Sequence, residues 1–258
     1  MSGMNQGTGF FGKVPTLGDF VDRRLPNNVR ESLDTWLQGS IAHSQEVLGE
    51  SWLNTYLTSP VWHFALGPGI CDQNSWTGIL MPSCDKVGRY FPLVIAKSHE
   101  LDIKPLESFV QLRDWYDRAS TLALSCLGDG YAFDEFDAAL TGLEYATAVS
   151  RPYRAQLPDA VPAGAGLRYG LPEPAVLPDF YPGLIQDLLS ELYAAHSVWW
   201  SAGSATVPPS LLICQGLPQQ RCYTALLTGQ WRDCGWSDRG MVFQAGQEAT
   251  TTEITAGQ

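Results

Sequence analysis

The chain has 258 residues, 45% of them apolar, which is enough for a substantial core in one large domain or two small ones, and no window reaches the length of a membrane-spanning helix. Its formal net charge is −11, with 14 acidic and 6 basic groups in residues 101–200, and the only adjacent basic pair is Arg23-Arg24. Nucleic acid and anionic lipid are bound through clustered Lys and Arg, so this balance excludes both as partners.

From the start, Met1 to Gly9 is polar and Gly-rich without an apolar stretch, so no signal peptide is expected. Residues 8–14 read as a short strand stopped by Pro15, and Pro15 to Asp19 has turn chemistry. Pro26 opens a predicted helix to about Ala42, with Val29, Leu33, Trp36 and Leu37 on one face. A second helix surrounds Trp52 to Leu57 and closes before Pro60. Strands are predicted at 61–66, 76–81 and 90–96, with residues 82–89 as a connecting loop. The run Leu93-Val94-Ile95-Ala96 implies a strand covered on both faces.

Residues 105–127 carry one broad apolar stripe and read as a single helix, ended by Gly128-Asp129-Gly130, with Asp134 expected to cap the next. Proline and glycine dominate 150–183, which predicts an irregular excursion. A helix at 184–196, strands at 198–200 and 211–214, and a helix at 218–227 follow. Residues 246–258 form an expected mobile tail, leaving 1–245 as one domain. Helices and strands mingle along the chain, so the predicted fold is a layered α/β sandwich, a mixed sheet flanked by helices.

Common catalytic signatures are missing: there is no GxSxG, GxxxxGK[ST], HExxH or GxGxxG after a strand. His63 reads as a hydrogen-bonded strand residue, and Cys84 has no base at a fixed offset. Gly128-Asp129-Gly130 lacks the alternating ligands of a calcium loop. The six cysteines (71, 84, 126, 214, 222, 234) have neither CxxC nor zinc-site spacing, which suits buried, reduced thiols in the cytoplasm. No metal or cofactor is expected.

Two segments are dense in unusual residues, Gly9 to Phe20 and Trp76 to Pro92. Lys13, Asp19, Ser83, Asp85 and Arg89 are the polar groups at their strand ends, with Lys13 expected near Asp19. One reading makes them loop architecture, with Asp85 and Arg89 tying the loop and Gly88 supplying a positive φ. The other makes them a recognition site, with Phe20, Tyr90 and Trp199 as candidate aromatic anchors, each of which also reads as a core residue.

These segments, FFGKVPTLGDFVDRRLP at 10–26 and WTGILMPSCDKVGRYFPL at 76–93, resemble the TagF/ImpM proteins of type VI secretion clusters. LGESWLNTYLTSPVWHFAL (48–66), SVWWSAG (197–203), GLP (216–218) and LLTGQW (226–231) extend the similarity over most of residues 8–235. The resemblance implies an α/β sandwich without catalytic activity. It also implies post-translational repression of secretion by binding the forkhead-associated scaffold Fha, with a PppA-type phosphatase as a possible separate partner. A ligand-binding or enzymatic domain using Lys13, Asp19, Asp85 and Arg89, and a structural subunit of the secretion apparatus, are the alternatives.

Overall fold

The computed structural model describes residues 7–99, 104–128, 130–145, 168 and 177–238. Strands β1 (Gly9–Gly12), β2 (Val21–Arg23), β3 (Trp62–Leu66), β4 (Ser75–Met81), β5 (Leu93–His99), β6 (His196–Ser201) and β7 (Ser210–Gln215) form one sheet. Its order is β2-β1-β5-β4-β3-β6-β7. Every pairing is antiparallel, so the expected α/β layering holds around a sheet that is not mixed. Apolar runs such as Leu93 to Ala96 report cover on both faces, and an antiparallel sheet packed on both sides produces the same run as a parallel one.

The side chains alternate accordingly. Phe11, Trp62, Phe64, Leu80, Val94 and Trp199 share one core. Phe10, Ile79, Met81, Leu93 and Ile95 belong to the other. The first core is closed by α1 (Asn27–Leu48), α2 (Trp52–Leu57) and α7 (Tyr223–Thr228), which supply Val29, Leu33, Trp36, Tyr56 and Leu226. The second is closed by α4 (Arg113–Ser125) and α5 (Phe133–Thr141) with Trp115, Tyr116, Ala119 and Phe136. Beside them, α3 (Pro105–Gln111) and α6 (Leu177–Leu192) pack on each other and on the β3–β6 half of the same face.

Several sequence expectations are corrected. The stripe at 105–127 is broken at Leu112 (φ −108°, ψ 20°), so α3 and α4 are separate helices. The break lets both lean on one sheet face: Ser108 Oγ lies 3.2 Å from Tyr116 Oη, which donates to the Phe64 carbonyl at 3.0 Å. Asp134 does not cap α5; Ala132 holds that position, and Asp134 and Glu135 lie in the first turn, where a carboxylate complements the helix dipole. Helix α6 begins at Leu177, inside the stretch expected to be irregular, and ends at Leu192, before 196. The rest of 150–176 lies outside the described residues except Arg168, as does the tail at 246–258. Strand β2 escaped the sequence reading because three residues carry no periodicity; it exists because Phe10, Phe11 and Gly12 pair with it. The predicted helix at 218–227 is a 3₁₀ turn at 220–222 followed by α7. No helix among the described residues is long and apolar enough to cross a membrane.

Candidate functional site

The β1–β2 and β4–β5 connections, residues 13–20 and 82–92, meet at one end of the sheet. Asp85 is their hub, buried at 3% exposure. Its Oδ1 accepts from the backbone N–H groups of Val87 (3.1 Å) and Arg89 (2.8 Å). Its Oδ2 accepts from Lys13 Nζ and from Arg89 Nε (2.6 Å). Gly88, at φ +81°, turns the chain so that both backbone donors face the carboxylate. Burial acts to raise the Asp85 pKa, but the hydrogen bonds from Lys13 and from the Arg89 backbone and side chain outweigh it. The carboxyl is held well below its ordinary range.

Ser83 stitches the loops together. Its Oγ donates to the Lys13 carbonyl at 2.7 Å, while its own N–H and C=O are both held by Tyr56 Oη at 2.9 Å. Tyr56 stacks on Trp52 with ring centroids 4.8 Å apart, so α2 supports the floor. The Lys86 N–H donates to the Leu17 carbonyl at 2.9 Å, and the Arg89 guanidinium donates to the Gly18 carbonyl. Both loops are thereby fixed to each other.

The sequence names eight residues for this site, and the structure divides them. Lys13, Ser83 and Asp85 are buried and hydrogen-bonded inside the loop platform, where no partner can touch them. Lys13 is not the neighbour expected for Asp19. It pairs with Asp85, while Asp19 faces Arg89 at 3.5 Å in the open. Trp199 is fully buried between Trp36 and Phe64 and is a core residue, because β6 is an interior strand whose odd positions face the first core. Tyr90 is half-buried against Trp52 and Tyr56. Arg89 and Asp19 reach solvent. Around them stand Phe20, 55% exposed and supported edge-on by Phe91, and Val87, 68% exposed. Val87 was missed, since an isolated valine in a polar loop has no sequence signal.

Cys84 sits beside this hub with its thiol pKa raised by burial and by the Asp85 charge, which disfavours the thiolate. All six cysteines are free thiols.

A cleft of about 580 Å³ lies elsewhere, between the second sheet face and helices α3, α4 and α6. Its floor is His63, Trp200 and Leu211, and its walls include Phe109, Tyr181 and Ile185. His63 stacks on Tyr116 at 5.1 Å and its Nε2 lies 2.8 Å from Ser120 Oγ. Burial lowers its pKa to about 4 against a weaker opposing effect of Asp117, so the ring is neutral at pH 7.

The chain is similar to known proteins in sequence and in fold. The family described as the TagF N-terminal domain, type VI secretion system-associated, matches residues 9–143, which contain both loops. The crystal structure of PA0076 from Pseudomonas aeruginosa PAO1 superposes with a TM-score of 0.68 at 33% identity, covering 92% of this chain and 96% of that one. No curated protein matches. The chain therefore belongs to the TagF family of type VI secretion system-associated proteins.

Proposed function

We propose that this chain represses type VI secretion after translation by binding the forkhead-associated scaffold protein Fha through the rim of its two signature loops. The observation that carries the reading is the division of labour at the hub. Asp85, Lys13 and Ser83 use their hydrogen-bonding capacity on one another, while Asp19, Phe20, Val87 and Arg89 are held outward on a stiff platform. A preordered apolar patch with charged neighbours suits protein recognition, because little side-chain and loop entropy is lost on docking. The same geometry speaks against a small ligand at Lys13, Asp19, Asp85 and Arg89, since both Asp85 oxygens are already taken. On this reading the protein acts in the cytoplasm without a cofactor and makes or breaks no bond. A PppA-type phosphatase is a further candidate partner.

Co-purification of the full chain with Fha, alongside effector secretion on overexpression, tests the proposal. The wild-type protein should retain Fha and lower secretion. Phe20→Ala combined with Val87→Asp should lose both effects while keeping the native circular dichroism spectrum. A wild-type protein that neither retains Fha nor changes secretion overturns it.

A further inference from the structure

Helix α6 is tied to the sheet through the side chain of Gln186, which is fully buried. Its Oε1 accepts from the Leu106 N–H at the start of α3, at 2.9 Å. That bond fixes which way the amide points: the oxygen lies toward α3 and the NH2 toward β6. On that side Gln186 Nε2 is 2.8 Å from His196 Nε2 and 3.4 Å from Ser190 Oγ. An amide NH2 can only donate, so His196 Nε2 is the acceptor and the proton of the neutral ring sits on Nδ1. The contact exists only while His196 is uncharged.

An imidazolium there would set one N–H donor against another. Turning the Gln186 amide over does not help, because its NH2 would then oppose the Leu106 N–H. Either orientation leaves a buried donor without an acceptor. The elements packed on β6 offer His63 from β3, Cys214 from β7, Lys104 and Glu107 at the start of α3, and Asp187, Glu191 and Tyr193 on and after α6. Of the charged groups, Lys104 bears on His196, and it repels an imidazolium. The nearby carboxylates are already engaged: Asp187 with the Lys104 ammonium at 2.7 Å, and Glu107 with the Lys104 backbone N–H at 3.1 Å. Burial first, and then the Lys104 charge, hold the His196 pKa below its ordinary value.

We infer that the Gln186–His196 contact is an acid-sensitive latch, and that protonation of His196 releases α6 from the sheet while the signature loops stay in place. Apolar packing holds this helix weakly, since Tyr181, Ile185, Leu188 and Leu192 are 47–73% exposed. The polar contacts at Gln186 therefore decide whether it stays docked. Tyr181 and Ile185 form part of the wall of the cleft over His63, Trp200 and Leu211, so release of α6 uncovers that face of β3, β6 and β7.

Hydrogen exchange of the full-length protein, read by mass spectrometry as protection factors from about pH 7.5 to about pH 5.5, tests this. The amides of 180–192 should lose protection by about tenfold per pH unit between 6.5 and the pKa of the docked ring, while those of β4 and β5 keep theirs. His196→Gln puts a carbonyl oxygen that does not titrate opposite the Gln186 NH2 and should abolish the loss, with His63 unchanged. Gln186→Glu offers an oxygen to the Leu106 N–H and another to the imidazolium, so protection of α6 should no longer fall on acidification. The two substitutions are independent, so failure of one to fold leaves the other to decide. Protection of α6 that does not change with pH in the wild type, or the same acid loss in either folded variant, would overturn the inference.

Discussion

Asp85 shows how one side chain sets a surface it does not belong to. It is buried, yet its four hydrogen bonds fix the Arg89 and Val87 positions that solvent sees. Asp85→Asn keeps the shape and removes the charge, so it should lower the urea midpoint of unfolding and loosen the rim, seen as faster exchange of the Val87 and Arg89 amides. The pH dependence has a defined sign. The folded carboxyl is held below its ordinary value of 3.8, so its stabilisation is present above that pH and is lost as pH falls below it. Asp85→Asn should therefore lose less stability on acidification than wild type, measured by urea titrations at descending pH. Tyr56→Phe removes the hydroxyl that serves both backbone groups of Ser83 and should cost about 1–3 kcal/mol by the same measurement. His63 acts in a higher window. The unfolded chain takes up a proton near 6.5 and the folded chain only near 4, so stability falls as pH drops between them. The fall is about 3 kcal/mol for a buried ring shifted this far. His63→Gln should flatten that part of the stability profile, although His196, also lowered by burial, leaves a slope of the same sign.

At the scale of elements, the strands are specified by close approach as well as by pattern. Gly78 in β4 lies across from Phe64 of β3, and a Cβ there would sit 2.2 Å from the Phe64 ring. Phe64 in turn packs on Trp199, so the ring has no room to withdraw. Gly78→Ala should destabilise by about 1–3 kcal/mol through overpacking, checked by thermal or urea unfolding. The separation of α3 from α4 follows the same logic. A continuous helix from 105 to 125 would satisfy the apolar stripe, but only a break at Leu112 lets Phe109 stack on Tyr116 at 5.0 Å while Trp115 enters the core. Periodicity reports which residues are apolar neighbours and is silent about a bend between two turns that share a face.

At the scale of the whole molecule, the segment matching the TagF N-terminal domain is not a closed unit. Strand β3 needs β6 along its free edge. Trp36 Nε1 donates to the Pro218 carbonyl at 2.6 Å, and Trp62 Nε1 to the Leu226 carbonyl at 3.1 Å. A fragment ending at residue 143 would leave Trp36, Phe64 and the β3 edge uncovered, and should lack the near-UV circular dichroism and cooperative urea transition of the full chain. The sequence by itself determined the α/β class, most strand and helix positions, the two signature loops and the family, because apolar alternation, turn residues and long motifs are all local in the chain. Only the tertiary structure decided that Lys13 pairs with Asp85, that Val87 is surface, and that among the described residues β7 lies at one end of the strand order. Each of those facts depends on which distant segment lies beside the residue, and the strand order that brings them together is not written in any local pattern.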